Sequence, residues 1–364
     1  MRDELKKYGQ EVRQIIVIIP VYNCVNFLQK AVMSVLQQPY QAIKVVLIDD
    51  GSTDGSSILC DELAYREERV DVIHQKNSGV SKARNLGLQY IYSNRKSAND
   101  YVAFLDADDL WKENWLNDSI IGLLYQDFDL IGLQSCNCNA LLTRRSNPRC
   151  MQEGKFRGGT AAIWLHAEQH IGAMLYREEF LIKNNIWFYN IKASEDKIFS
   201  MQCLYLANNI YLVNHLMYFY RQNVTSSMHT RKKGISHFVP IIDAYLQSDR
   251  EMAKYYNNVR GELKEGRILA KIFLMDMIEE ELETISGVKK IKELLNKRPE
   301  YKKIMEMSTN EQIDKRWEYI QSSRKKVMIK NYIYGFLVAF ARKIYYIRPV
   351  KYITDQQRYP IKMK

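Results

Sequence analysis

An apolar strand that ends in paired aspartates decides the fold of this chain: it reads YVAFLDAD at residues 101–108. The uncharged run from Tyr101 to Leu105 predicts a buried strand. Asp106 and Asp108 follow it two positions apart, so both carboxylates can face one cavity and bind a hard divalent cation that also bridges phosphate oxygens. Aspartates at this spacing are frequent by chance and could simply be solvated. Their place after a fully apolar strand is what favours a metal site.

A second acidic cluster lies upstream, DDGSTD at residues 49–54, directly after the apolar run Val45 to Ile48. From residue 15 to about 135, short apolar runs alternate with helical stretches, which predicts βαβ units and a parallel sheet. In an open α/β sheet, ligands bind in the crevice at the carboxyl ends of the strands. We therefore expect both acidic clusters at one crevice, where a metal-chelated nucleoside diphosphate would fit.

The same pattern predicts the individual elements. Strands are expected at 15–19, 45–48, 70–73, 101–105, 128–133, 171–176 and 210–220, and helices after Asp54, at 79–90, from Arg177 and at 197–206. Asn23 is expected to cap the first helix, and residues 135–159 to form a polar loop. These expectations divide the chain into a catalytic domain (1–234), a helical appendage (235–323) and a basic tail (324–364).

Most of the net positive charge lies in that tail. The net charge is +11, and residues 324–364 contain eleven Lys or Arg against one acid. Their longest charge-free stretch, 331–341, is too short to span a bilayer. Aromatic residues interleaved with basic ones predict an amphipathic helix in an anionic membrane interface; packing on the core is the alternative. The high apolar content and the lack of a recognition motif argue against nucleic acid as a partner.

Cysteine and histidine patterns add little chemistry. The six cysteines have neither zinc spacing nor a disulfide framework, and the first fourteen residues contain no apolar signal core. These features favour a reducing cytoplasm, with the tail at the inner face of the membrane. His166 and His170 lack the zinc-protease arrangement, so structural or acceptor-lining roles are favoured. His229 could reach a metal or diphosphate.

Five further residues are candidates for a site. Tyr22 could stack on a nucleobase and Asp50 could accept from an imide N–H, but they could equally pack on the sheet edge and cap a helix. Arg84, inside an apolar helix, suits phosphate or ribose oxygens. Glu195 and Asp196 open a helix, where a carboxylate either caps the dipole or acts as a general base.

Four segments in register resemble the family 2 glycosyltransferases of bacterial cell-surface polysaccharide synthesis. They are IIPVYN at 18–23, IDDGSTDG at 48–55, NSGVSKARN at 77–85 and FLDADD at 104–109. Residues 172–180 and the Glu195–Asp196 pair resemble the acceptor-side half more loosely. The resemblance covers roughly residues 14–225 and implies a GT-A fold, a Rossmann-like mixed sheet flanked by helices.

The resemblance also implies an activity. A hexosyl or N-acetylhexosaminyl group would pass from a nucleotide-diphosphate sugar, in the first place a UDP-sugar, to a hydroxyl of a glycan or lipid-linked oligosaccharide. The anomeric centre would invert, with Mg²⁺ or Mn²⁺ as cofactor. Asp108 and Asp106 would hold the metal, and Asp196, beside Glu195, would be the base. The donor would contact Pro20, Tyr22, Asn23, Asp50, Ser52, Arg84, Asp106 and Ala107.

Other functions are weighed against this one. A sugar-nucleotide pyrophosphorylase would need a Gly-rich, basic loop after the first strand, where residues 20–23 read PVYN. A phosphoacceptor signalling domain is shorter, and a dinucleotide-dependent oxidoreductase would show G-x-G-x-x-G at that place. A catalytically inactive relative stays open, although every expected acidic position is filled.

Overall fold

A computed structural model gives the structure of the chain. It describes residues 12–95, 97–139, 146–148, 151–158, 170–191, 195–222, 234–255, 270–272, 274–278, 285–307, 314–315 and 318. The chain divides into two compact units: Met1–Arg231 with Gln247–Glu265, and Lys232–Leu246 with Gly266–Lys364. The basic tail at 324–364, His166 and His229 lie outside the described residues.

The amino-terminal part of the first unit is a parallel sheet with connecting helices. Its strands are β1 (Ile15–Val21), β2 (Ile43–Asp49), β3 (Val70–His74) and β4 (Tyr101–Phe104), in the order β3-β2-β1-β4. The helices between them are α1 (Val25–Leu36), α2 (Ser56–Arg66) and α3 (Val80–Ser93). Parallel strands covered on both faces read as continuous apolar runs, which is why the sequence predicts these strands, and the prediction is confirmed.

The rest of the unit extends this sheet with mixed pairings. The further strands are β5 (Leu110–Trp111), β6 (Leu130–Asn139), β7 (Gly154–Phe156), β8 (Met174–Arg177) and β9 (Ile210–Gln222). Strand β8 is antiparallel to both β4 and β6, whereas β6 runs parallel to β9. Short β5 and β7 pair antiparallel with β9. The helices of this part are α4 (Asp118–Leu124), α5 (Glu178–Lys183) and α6 (Glu195–Leu206).

Three expectations about local structure are wrong, and the first concerns Asn23. The N-cap residue of α1 is Cys24, and Asn23 instead has φ +49°, a left-handed conformation that asparagine tolerates. Its Oδ1 accepts from the backbone N–H of Thr53 at 2.8 Å, and its own N–H donates to Ser52 Oγ at 3.2 Å. Asn23 therefore joins the turn after β1 to the turn after β2 instead of capping a helix.

The expected polar loop at 135–159 contains strands. Strand β6 continues to Asn139, and β7 follows at Gly154–Phe156. Within β6, Cys136 and Cys138 are buried while Ser135 and Asn137 are half-buried, the two-residue period of a strand. The small polar residues Ser135, Asn137 and Asn139 made this segment resemble a loop in the sequence. Likewise, the strand expected at 171–176 begins as a 3₁₀ turn, Ile171–Ala173, before β8.

The second unit is helical where the structure describes it. It contains the first part of α7 (Gly234–Tyr255), helical residues at 270–272 and 274–278, α8 (Ile285–Lys297) and α9 (Pro299–Glu306). Arg298 binds both carboxylate oxygens of Asp243 at 3.0 and 2.9 Å. Buried Lys271 donates to the Met307 carbonyl at 2.6 Å and to Asp314 at 3.0 Å. Among the described helices, none combines the length and apolar character needed to cross a bilayer.

Glu178, at the start of α5, is a fully buried carboxyl with little compensation. Arg95 Nε lies 3.8 Å from its Oε1, and neither carboxylate oxygen accepts a hydrogen bond from the described residues. Burial raises the pKa of Glu178 to about 7; Arg95 opposes this, whereas Asp100 adds to it. Because the folded pKa lies above the ordinary value of 4.5, the folded state is favoured by protonation. Stability is therefore lost as the pH rises from that value through about 7.

We expect Glu178→Gln to stabilise the protein at pH 8 by on the order of 2 kcal/mol, because it removes the buried charge and keeps the shape. At pH 5, where Glu178 is protonated, the gain should nearly vanish. Urea unfolding followed by far-UV circular dichroism at both pH values measures this. Glu179→Gln, at a half-exposed neighbour, is the matched control. An equal effect of Glu178→Gln at pH 5 and pH 8 would contradict the assignment.

Candidate active site

The candidate residues converge at the carboxyl ends of β1, β2 and β4. Val21 pairs with Asp49 and Ile18 with Phe104 in the register of the sheet. Tyr22, Asp50 and the turn that starts at Asp106 therefore follow neighbouring strand ends. This is the edge at which open α/β sheets bind ligands.

Tyr22 and Asp50 have unlike surroundings. The Tyr22 side chain is 52% exposed, whereas Asp50 is buried. Asp50 accepts from Gln75 Nε2 at 2.6 Å and from the backbone N–H groups of Ser78 at 2.7 Å and Gly79 at 2.8 Å. It thus holds the turn that leads from β3 into α3. A carboxylate has about four acceptor directions, so these three bonds leave capacity for one more donor.

The other acids of the second cluster stabilise the fold. Asp49 accepts from the Ser52 N–H at 3.0 Å and lies 2.9 Å from His74 Nδ1. Burial would raise the pKa of Asp49, but its hydrogen bonds with Ser52 and His74 lower it. The hydrogen bond with Asp49 in turn raises the pKa of His74. Asp54 accepts from the N–H groups of Ser56 at 3.0 Å and Val25 at 3.1 Å. Asp49 thus joins the ends of β2 and β3, and Asp54 joins the turn before α2 to the start of α1.

Arg84 lies between two carboxylates from distant parts of the chain. It is buried, and its Nη2 donates to Asp106 Oδ1 at 2.7 Å while Nη1 donates to Glu195 Oε1 at 3.0 Å. Its guanidinium also lies over the Phe188 ring, 5.3 Å from the centroid. Arg84 therefore links the turn after β4 to the start of α6.

The pKa values of the two acids that Arg84 binds are shifted in opposite directions, down for Asp106 and up for Glu195. Burial would raise the pKa of Asp106, but Arg84 and then His170 lower it below its ordinary value. Burial and the neighbouring Asp196 raise the pKa of Glu195, which Arg84 only partly offsets. Asp106 is thus an anion at neutral pH, as a metal ligand must be. Asp196, the second residue of α6, accepts from the backbone N–H of Lys197 at 2.8 Å.

Asp106 and Asp108, the candidate metal ligands, lie in a tight turn that ends at Asp109. The Asp109 N–H donates to the Asp106 carbonyl at 2.9 Å. Asp106 and Asp108 are half-buried, and Ala107 packs in the core. Burial, with the charges of Asp106 and Asp108, raises the pKa of Asp109 well above its ordinary value.

Sequence reasoning missed two residues that contact this turn, Tyr218 and Arg221. Tyr218 donates to Asp109 Oδ2 at 2.6 Å, and Arg221 Nε donates to the Asp108 carbonyl at 2.7 Å. Both belong to β9, more than a hundred positions along the chain. Only the register of β9 against β5 could have indicated them, because no motif marks either residue.

The donor set at this turn fits a cation that arrives with its substrate. No group of three or more His, Cys, Asp or Glu that could hold a metal ion occurs among the described residues. Asp106 and Asp108 nevertheless offer two carboxylates on one turn. Mg²⁺ is commonly bound by one or two carboxylates, with substrate phosphates and waters completing the shell.

The fold and these segments match known proteins. Residues 16–178 match the family described as Glycosyl transferase family 2. Glycosyltransferase GlyG of Streptococcus pneumoniae is 28% identical over 234 residues, which cover 59% of this chain and 72% of GlyG. EpsJ of Bacillus subtilis, an uncharacterized glycosyltransferase, is 27% identical over 267 residues, 68% of this chain and 72% of EpsJ.

A solved structure gives the same fold. The crystal structure of S. aureus TarS 1-349 in complex with UDP-GlcNAc has a TM-score of 0.54 and 20% identity; the match covers 80% of this chain and 79% of that one. At this identity the likeness establishes the fold alone. The mixed sheet flanked by helices is therefore a GT-A fold, and its residues 16–178 match the family 2 glycosyltransferases.

Proposed function

We propose that this chain is an inverting, metal-dependent glycosyltransferase that moves a sugar from a nucleotide-diphosphate donor, in the first place a UDP-sugar, to a hydroxyl of a glycan or lipid-linked acceptor. One observation carries the proposal: Arg84 binds Asp106 at 2.7 Å and Glu195 at 3.0 Å. The first carboxylate follows β4, the strand at which the parallel half of the sheet meets the mixed half. The second precedes Asp196, the candidate base.

The donor base would lie between the turns after β1 and β2. The exposed ring of Tyr22 is available for stacking, and Asp50 keeps one acceptor direction for the imide N–H of a uracil. Asn23 and Ser52 bind each other at 3.2 Å and would fix these turns around the base, with Pro20 at the end of β1. The UDP-GlcNAc in the TarS structure supports a UDP-hexose or UDP-N-acetylhexosamine donor.

The diphosphate would lie against the turn at 106–108, where Asp108 and Asp106 would hold Mg²⁺ or Mn²⁺ and Ala107 would offer its backbone. When bound, such an ion neutralises the charge that develops on the departing diphosphate. A sugar-nucleotide pyrophosphorylase is the second candidate on a related sheet. The structure disfavours it, because residues 20–23 form a strand end and a turn that Thr53 binds through Asn23 and offer no Gly-rich phosphate loop.

The candidate base would act on the opposite face of the sugar. Asp196 would accept the proton of the acceptor hydroxyl as its oxygen attacks the anomeric carbon. The bond from that carbon to the diphosphate oxygen breaks, and its electron pair leaves with the nucleoside diphosphate. Attack from behind inverts the anomeric centre. Glu195, held by Arg84, would position Asp196 for this step.

We expect Asp196→Asn to lower kcat by about 10²–10⁴-fold, because the amide cannot take the proton. Donor affinity should change little, since the base contacts the acceptor. Release of UDP from a panel of UDP-hexoses measures turnover, and calorimetric titration with UDP and Mn²⁺ measures binding.

The matched control is Asp118→Asn, another aspartate in the first turn of a helix, which should leave both quantities unchanged. Near-full turnover in Asp196→Asn would refute its role as the base. Formation of UTP from the UDP-sugar and pyrophosphate would instead favour the pyrophosphorylase.

We further propose that residues 324–364 attach the enzyme to the cytoplasmic face of the cell membrane. Each Lys or Arg near an anionic surface contributes about 1 kcal/mol of attraction. The full chain should therefore bind vesicles containing phosphatidylglycerol and bind pure phosphatidylcholine weakly. Replacing Arg342, Lys343 and Arg348 with Gln should release it in a flotation assay. Replacing the exposed residues Lys30, Lys76 and Lys183 instead is the control; equal loss in both triple variants would contradict a specific role of the tail.

A further inference from the structure

A buried tyrosine and a buried aspartate meet beside the turn that contains the candidate metal ligands. Tyr218, on β9, is fully buried, and Asp109 is 1% exposed. The Tyr218 hydroxyl donates to Asp109 Oδ2 at 2.6 Å and accepts from the backbone N–H of Asp106 at 3.2 Å. Burying a phenol and a carboxylate costs free energy unless both are hydrogen-bonded, and here each satisfies the other.

Arg221 completes the cluster from the same strand. Its backbone N–H donates to Asp109 Oδ1 at 2.7 Å, and its Nε donates to the Asp108 carbonyl at 2.7 Å. Both oxygens of Asp109 are thus bonded to β9, one to Tyr218 and one to Arg221. Asp109 therefore differs in function from Asp106 and Asp108, although all three lie in one acidic run.

Each candidate metal ligand has its backbone bonded to this cluster. The Asp106 N–H binds Tyr218, the Asp106 carbonyl accepts from the Asp109 N–H at 2.9 Å, and the Asp108 carbonyl binds Arg221. A turn held in this way need not become ordered when a cation and a diphosphate bind. The conformational entropy that binding would otherwise cost is already lost on folding.

The position of the Tyr218 ring is itself fixed by packing. A Cβ atom added to Gly172 would lie 2.1 Å from Tyr218 Cε2, so only glycine leaves room for the ring there. The His170 ring contacts Tyr218 at 4.4 Å between centroids. With Gly172 and His170 against the ring, its hydroxyl is directed at Asp109 and Asp106.

We propose that Tyr218 is a positioning residue for the metal-binding turn: bonded to Asp109, its hydroxyl holds Asp106 and Asp108 in the arrangement that accepts a divalent cation with a nucleoside diphosphate. This inference rests on the proposed function, because it concerns the same site. It assigns Asp109 to the support of the turn and not to the metal.

Tyr218→Phe tests this role, because it removes the hydroxyl and keeps the ring. Mn²⁺ is titrated in the presence of UDP, and free Mn²⁺ is measured by electron paramagnetic resonance, which does not depend on turnover. The dissociation constant for Mn²⁺ should rise about tenfold or more, since one hydrogen bond is lost and two buried partners remain unsatisfied. Asp108→Asn gives the reference for a lost metal ligand.

The matched control is Tyr101→Phe. Tyr101 is also fully buried in the same sheet, and its hydroxyl donates to the Phe128 carbonyl at 2.9 Å, away from the turn. A purely structural role of Tyr218 predicts the same loss of melting temperature in both variants and unchanged Mn²⁺ binding in both. The positioning role predicts weaker Mn²⁺ binding in Tyr218→Phe alone.

The outcomes separate this inference from the proposed function. If the wild-type protein does not bind Mn²⁺ with UDP, the metal-dependent function fails and the inference fails with it. If the wild type binds and Tyr218→Phe binds equally well, only the inference is overturned. Should Tyr218→Phe not fold, Asp109→Asn replaces it. The carboxylate of Asp109 accepts from Tyr218 with one oxygen and from Arg221 with the other, whereas an amide has a single acceptor oxygen. Wild-type affinity for Mn²⁺ in Asp109→Asn would also overturn the inference.

Discussion

The site depends on the two ion pairs that the buried guanidinium of Arg84 forms with Asp106 and Glu195. Arg84 binds Asp106 after β4 and Glu195 at the start of α6, residues 89 positions apart in the chain. Burial alone would lower the pKa of Arg84, but Asp106 and Glu195 raise it. A buried charge is tolerated only when paired, and removal of a partner leaves the rest uncompensated. Loss of Arg84 would therefore leave Asp106 and Glu195 without their paired charge, and loss of either carboxylate would leave Arg84 partly uncompensated.

The fold brings Arg84 to this place through helix α3. Ala83, Arg84, Gly87, Leu88 and Ile91 form its buried stripe, so Arg84 occupies a core position. Gly87, one turn further on, lets the helix approach β1, because a Cβ atom there would lie 2.7 Å from Ile18 Cγ2. This close contact holds the guanidinium against the end of β4. Asp50, Asp106 and Asp108 thus follow strands of the parallel half of the sheet, whereas Glu195 and Asp196 lie on α6 and Tyr218 and Arg221 on β9.

Much of the parallel half is predictable from sequence, because its strands are buried on both faces and appear as uninterrupted apolar runs such as Ile15–Val21. Strand β6 is harder: its carboxyl-terminal part alternates cysteines with small polar residues, which resembles a loop until the pairing with β9 is known. Asn23 shows the same limit, since its left-handed turn depends on Thr53 in another loop. Tyr218 could not be identified at all, because its role follows from a register between distant segments. The roles of Asp50, Asp108 and Asp196 remain predictions.

The most direct measurement is the dissociation constant of UDP with Mn²⁺, together with the turnover number, for Arg84→Lys. Lysine keeps the charge but cannot reproduce the planar fork that binds two carboxylates at once. If Arg84 joins the donor turn to the base side, both quantities should worsen by about tenfold or more, as expected for the loss of a charged hydrogen bond. Wild-type affinity with impaired turnover, or the reverse, would contradict a bridge between the two halves of the site.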